Sequence, residues 1–206
     1  ADKPHFLPVT PAGRYARETL LARLQRRLHL PHLAPLHRID RETAGLVVFT
    51  VQPDTRDAYA RLFRERRVQK VYEAIAERNP SLNLTAPLLR TSHLAPHACD
   101  FFRMAEYPAK AANSSTWIEQ LENLPDNRVR LRLRPFTGLR HQLRVHLDAL
   151  GMPIVGDQLY PHVLHDAIAA PDYRHPLQLL AQCLSFTDPL TGQARQFQSQ
   201  MTLLQR

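Results

Sequence analysis

The chain has 206 residues, 44% of them hydrophobic, enough to bury a core without disulfide staples, and it holds only two cysteines, Cys99 and Cys183. Its formal charge of +8 is carried almost wholly by arginine, since only three of the 27 basic residues, Lys3, Lys70 and Lys110, are lysines. These features exclude a disulfide-framed secreted domain and, with no apolar run long enough to form a transmembrane helix, lead us to expect a cytoplasmic protein. Arginine forks pair with phosphate and stack on bases, which points to nucleic acid; a GC-rich coding bias is the competing source of the charge. The basic residues are spread over many elements and not along one amphipathic helix, which argues against a membrane-surface role.

In chain order, the start Ala1-Asp2-Lys3-Pro4 lacks a methionine and is compatible with a missing upstream segment. From Glu18 to His29, Leu20, Leu21, Leu24 and Leu28 share one helical face, Arg23, Arg26 and Arg27 fall elsewhere, and Pro31 ends the helix. The run His37-Arg38-Ile39-Asp40-Arg41-Glu42-Thr43-Ala44-Gly45-Leu46-Val47-Val48-Phe49-Thr50 sets a carboxylate between two arginines and passes through a glycine into an apolar strand. Guanidiniums beside a carboxylate favour its ionised form, which suits a nucleophile or base. On spacing alone, a structural salt bridge ahead of a strand accounts for the same residues.

Pro53-Asp54 reads as a helix start with Asp54 as cap; Tyr59, Leu62 and Phe63 lie on the buried side and Arg56, Arg61 and Arg64 on the other. Val68 to Ala76 is strand-like, and Lys70 and Tyr72, two residues apart, project from one side of it, which is expected to be polar. Residues 79–113 show little periodicity and read as loops with short strands. Cys99, near His93, His97 and Asp100, lacks a standard zinc spacing and is expected to be a small buried thiol.

Thr116 to Leu121 and Arg128 to Arg134 form a strand pair joined by Leu124-Pro125-Asp126-Asn127, with Val129, Leu131 and Leu133 inward and Arg128, Arg130, Arg132 and Arg134 outward as a stripe. Pro135-Phe136-Thr137-Gly138 leads into a helix on which Leu143, Leu147 and Leu150 share a face, stopped by Gly151. Arg144 lies one turn before Asp148, so an i,i+4 ion pair is the local expectation. A turn-rich stretch, Gly151 to Asp157, precedes a short helix over 163–170 with His162 and His165 as surface residues. Leu177 to Phe186 and Gln193 to Leu204 then form strands about the turn Asp188 to Gly192. Neighbouring hairpins with inserted helices predict an α+β fold on a largely antiparallel, mixed sheet flanked by helices. At this length, one domain over 1–206 is expected.

Four of these segments, in order, resemble the RluA-type pseudouridine synthases. His37-Arg38-Ile39-Asp40 with Thr43-Ala44-Gly45-Leu46 is similar to the family's catalytic loop, and Lys70-Val71-Tyr72 to its Lys-x-Tyr strand. Thr137-Gly138-Leu139-Arg140-His141-Gln142-Leu143-Arg144-Val145-His146 is similar to its Thr-Gly-Arg-Thr-His-Gln segment, and Gly151 to Tyr160 to its Gly-x-Pro-Ile-x-Gly-Asp-x-x-Tyr segment. The resemblance implies a stand-alone catalytic domain with a cleft across the sheet, isomerising a uridine of transfer or ribosomal RNA. Asp40 would attack the target nucleotide, Arg144 would hold Asp40 ionised and oriented in preference to pairing with Asp148, and Tyr72 would pack on the uracil and move or position a proton. Arg38 would enter the RNA and aid extrusion of the base, and His37, Lys70, Arg140, His141, Gln142 and Ile154 would complete the substrate site. The outward arginines of residues 56–67 and 128–134 would track the RNA backbone.

The chain departs from the family pattern at Leu139-Arg140, where the family has Arg-Thr or Arg-Ser, and no S4-like module precedes the loop. No metal or cofactor and no membrane partner is implied, and a monomer is expected. The alternative is a non-catalytic RNA-binding or ribosome-assembly protein on the same fold. A carboxylate-dependent glycosidase lacks a second acid in a matching motif.

Overall fold

The computed structural model describes residues 1–11, 17–164 and 173–203. Along the chain run β1 (Asp2–Lys3), α1 (Leu20–Leu28), β2 (Ala34–Pro35), β3 (Ala44–Leu46), β4 (Phe49–Thr50), a 3-10 turn (Pro53–Thr55), α2 (Arg56–Arg64), β5 (Gln69–Glu77), β6 (Leu88–Ser92), β7 (Leu94–Pro96) and β8 (Met104–Glu106). Then follow β9 (Ser114–Leu124), β10 (Arg128–Pro135), α3 (Gln142–Ala149), β11 (Leu179–Thr187) and β12 (Ala194–Gln198). β3 pairs parallel with β11, while β1 with β3, β5 with β10, β9 with β10, β6 with β9 and β11 with β12 pair antiparallel, so the fold is α+β with a mixed sheet. The described residues form two compact units, one of 1–70 with 180–202 and one of 71–179 with 203. From residue 165 onward, the helix expected over 163–170 lies outside the described residues, as do His165 and Leu204.

In the first unit β3 is the centre, with β1 antiparallel on one side and β11 parallel on the other, and β12 closes the edge of β11. The apolar run after Asp40 is two short strands parted at Val47–Val48, and within the first of them Gly45, at φ +104°, lies against Ala181. A Cβ at Gly45 would sit 2.3 Å from the Ala181 carbonyl oxygen, so only glycine lets the two backbones meet there. Gly45→Ala is expected to destabilise the fold by about 3 kcal/mol or more, a fall in unfolding temperature of roughly 10 °C, checked by thermal denaturation.

The Thr19 hydroxyl caps α1 by accepting from the Ala22 N–H at 3.2 Å, and Leu20 and Leu24 pack with Leu7, Val9 and Val47, while Leu28 is exposed. Asp54 does not cap α2; it lies in the preceding 3-10 turn, and α2 has no side-chain cap hydrogen bond. Tyr59, Leu62 and Phe63 pack with Leu46, Val68, Leu184 and Phe186 as expected from their spacing.

In the second unit β5, β10, β9 and β6 lie side by side, all antiparallel. The strict alternation of β10 puts Val129, Leu131 and Leu133 at full burial, and Asp126 and Asn127, both at positive φ, make the tight turn to it. The stretch 79–113 supplies β6 and the β7–β8 hairpin, too short and irregular to show a period. Helix α3 buries Leu143 and Leu147 against Ala74, Ala76, Ile118 and Leu131, and Gly151 at φ +69° ends it. Cys99 is exposed, contrary to the buried thiol expected, because it lies on the turn between β7 and β8 and not in either strand.

Candidate active site

The Asp40 loop of the first unit is held through its backbone. Lys3, at 0% exposure, donates from Nζ to the Arg41 carbonyl at 3.0 Å and to that of Pro4 at 2.9 Å. His5 Nδ1 contacts the Glu42 carbonyl at 2.6 Å, and Arg41 pairs with Glu42 at 2.7 Å. Burial pushes the Lys3 ammonium down to about 7, against the pull of the Glu42 and Asp40 carboxylates. Asp40 itself is half-buried, and Arg38, two residues earlier, is exposed. Lys3 and His5 carried no signal in the sequence beyond a polar residue on either side of Pro4; their contact with a loop some 37 residues away is tertiary.

His37, expected to touch substrate, is engaged within the protein. Its Nε2 accepts from the Val48 N–H at 3.1 Å and its ring stacks on Phe63, with centroids 4.8 Å apart. Burial and the positive charge of Lys70 lower its pKa to about 4, so the ring is neutral at pH 7.

Lys70 and Tyr72 both lie on β5, and burial lowers the pKa of Lys70. The side they share is polar only at the Lys70 end, since Tyr72 packs on the core and the next residues on that side, Ala74 and Ala76, are fully buried in it. The expectation of a polar face failed because two polar-tipped residues were read without the two alanines that continue their row.

Arg144 sits in the middle of α3 with its side chain 1% exposed. Arg144 pairs with Asp157, a residue that helical spacing does not offer: Nε donates to Oδ2 at 2.7 Å and Nη2 to Oδ1 at 2.6 Å, a two-pronged pair. The Asp157 side chain is also 1% exposed, and its Oδ1 accepts from the N–H groups of Leu159 and Tyr160. The Tyr160 ring lies 5.3 Å from the Arg144 guanidinium and 4.9 Å from that of Arg103. The Tyr160 hydroxyl accepts from the Met104 N–H, donates to the Met104 carbonyl and lies 3.0 Å from His141 Nδ1. Sequence reasoning missed Asp157 as the partner; the Gly-Asp-x-x-Tyr spacing, which puts a carboxylate three residues before the tyrosine, was the available signal.

Gln142 and Ile154 were expected at the substrate, and both are in the interior. The Gln142 amide accepts from the Thr137 hydroxyl and the Leu139 N–H and donates to the Ser115 carbonyl and the Thr116 hydroxyl, which occupies its donors and its acceptor. Ile154 is 3% exposed, packs in the core and bridges to Ala76. Arg140 is exposed and donates from Nη2 to the Phe101 and Arg103 carbonyls.

His146 extends the Gln142 network. At 0% exposure it lies 3.0 Å from the Thr116 hydroxyl through Nδ1 and within 3.1 Å of the Ser92 and Ser114 hydroxyls through Nε2. Burial lowers its pKa to about 4. Because the folded state binds this proton only below about pH 4 while an unfolded histidine titrates near 6.5, stability is lost as pH falls through that window, by up to about 3 kcal/mol. Urea unfolding at pH 7 and pH 4.5 is expected to show this loss in the native chain and a smaller one in His146→Gln.

Carboxylates stand among the arginine rows. Arg130 pairs with Glu73 and Glu122, and Arg132 and Arg134 share Glu119 on the neighbouring strand. On α2, Arg61 and Arg64 share Asp57. These cross-strand and intrahelical pairs are invisible when each strand is read alone.

Residues 1–149 match the family model described as RNA pseudouridylate synthase. The chain is 33% identical over 166 residues to the dual-specificity RNA pseudouridine synthase RluA of Haemophilus influenzae, a match covering 79% of this chain and 71% of that protein. To the RluA of Escherichia coli K12 it is 32% identical over 206 residues, covering 96% and 86%. Among solved structures, human RNA pseudouridylate synthase domain containing 1 superposes with a TM-score of 0.74 at 23% identity, covering 100% of this chain and 85% of that one, a likeness of fold.

Proposed function

Because the chain belongs to the RNA pseudouridylate synthase family, isomerases that act on RNA, we propose that it converts a particular uridine of a structured transfer or ribosomal RNA to pseudouridine with Asp40 as the nucleophile. The observation that carries the assignment is the pinning of the Asp40 loop by Lys3 and His5 through the Arg41 and Glu42 carbonyls. Such bonds fix the backbone on which Asp40 stands, as a nucleophile that must meet one atom requires.

In the reaction the N1–C1′ bond of uridine breaks and a C5–C1′ bond forms; the hydrogen on C5 leaves as a proton and N1 takes one up. Asp40 attacks the ribose anomeric carbon or the uracil ring so that the base detaches, turns and rejoins. Arg144, with Nε and Nη2 directed at Asp157, is assigned the task of keeping Asp40 ionised and oriented. Tyr72 packs on the uracil and positions the group that takes the C5 proton. Arg38 enters the RNA as the base leaves the stack, its planar guanidinium standing in for the lost stacking surface. Lys70 stands nearby on the strand of Tyr72, and the reaction proceeds in the cytoplasm on a monomeric enzyme.

The test is release of tritium from RNA labelled at uracil C5, using bulk RNA from a strain that lacks this gene. The purified chain is expected to release tritium in proportion to pseudouridine formed. Binding of the RNA without release would favour the alternative, a non-catalytic RNA-binding protein on this fold.

A further inference from the structure

Phe101 is 82% exposed, more than any other large hydrophobic residue among those described, yet it is held at both backbone and ring. It stands on the turn between β7 and β8. There His97 Nδ1 accepts from the Cys99 and Asp100 N–H groups, and the Arg103 N–H donates to the Asp100 carbonyl at 2.7 Å. Arg140 reaches across from the segment ahead of α3 and donates from Nη2 to the Phe101 carbonyl at 2.8 Å and the Arg103 carbonyl at 3.1 Å. The ring of Phe102 meets that of Phe101 edge to face, with centroids 5.6 Å apart and planes at 86°. Arg103 is fixed in turn by the Pro161 carbonyl and the Tyr160 ring. A ring that buries almost nothing contributes little to the core, so packing does not account for a phenylalanine at the tip of this braced turn.

We propose that Phe101 is a stacking platform for an unpaired base of the substrate RNA, outside the uridine being isomerised, and that Arg140 is the brace that presents it and pairs with the adjoining phosphate. The chemistry fits a nucleotide: a flat apolar face takes any base, and the guanidinium beside it supplies positive charge. Nε and Nη1 of Arg140 make no hydrogen bond with the described residues, leaving donors for a phosphate oxygen. This gives the Leu139-Arg140 departure a role, since an arginine one position later in the segment now supports a loop. The inference rests on the proposed action on RNA and adds a residue that would govern which RNAs are favoured.

The test measures tritium release and filter binding of bulk transfer RNA from a strain lacking the gene, for the native chain and five variants. Phe101→Ala is expected to raise KM and weaken binding by about tenfold, with kcat within about twofold, and Phe101→Trp to keep native values. Phe101→Leu, apolar without a π face, should behave like Phe101→Ala. Arg140→Ala should match Phe101→Ala, and the double variant should be no worse than about twofold beyond either single one, because one removes what the other supports. Native KM and binding in Phe101→Ala, or in Phe101→Leu, would overturn the platform. If the native chain binds RNA but releases no tritium, the isomerase reading fails, while the binding arm still decides the fate of Phe101.

Discussion

Replacing Asp40 with asparagine is expected to lower pseudouridine formation by about 10⁴-fold or more, the scale on which removing an enzyme's nucleophile acts. The substitution keeps the shape of the side chain and removes its charge, so the amide can neither attack carbon nor leave again. The anchors from Lys3 and His5 run to backbone carbonyls of the loop and stay in place, so the unfolding temperature should change by no more than about 3 °C. Affinity for RNA is expected to stay within about threefold, since phosphate contacts supply most of it. Activity, melting and binding on one preparation check all three parts.

Asp157→Asn should do the reverse, harming fold and catalysis together. It takes from the Arg144 guanidinium, 1% exposed, the charged carboxylate of its two-pronged pair. Breaking one side of a buried ion pair costs about 3–5 kcal/mol, or roughly 10 °C in unfolding temperature for a chain of this size. A displaced Arg144 should also reduce kcat by about 100-fold, as small misplacements of a positioning group do. The double change Arg144→Met with Asp157→Leu separates the two effects. It should restore most of the stability, because apolar side chains of similar size can replace a buried pair, and none of the activity. An active double variant would remove Arg144 from the mechanism.

Much of this was legible in the sequence, and the limits follow a physical line. Alternation found β10, the 3.6-residue period found α2 and α3, and Gly151 marked the end of α3. What sequence alone cannot show is who answers a charge. The i,i+4 rule offered Asp148 to Arg144, while the fold supplies Asp157 from a turn beyond the helix. The outward arginines of β10 were read correctly as outward, yet Glu73, Glu119 and Glu122 reach them from neighbouring strands. Gln142 looked like a substrate-facing polar residue of a motif and instead lies in a buried network with Thr116 and His146, because helix α3 is buried over most of its length. Lys3 shows the same gap: a lysine near the start of a chain gives no sign that it will be wholly buried under a loop centred on Asp40.

The most direct measurement is a map of pseudouridines at single-nucleotide resolution across total RNA from cells with this gene, without it, and with Asp40→Asn in its place. At least one position is expected to be pseudouridine only when the native chain is present, and uridine in both other strains. An Asp40→Asn strain with the native map, or a deletion strain with no site lost, would contradict it.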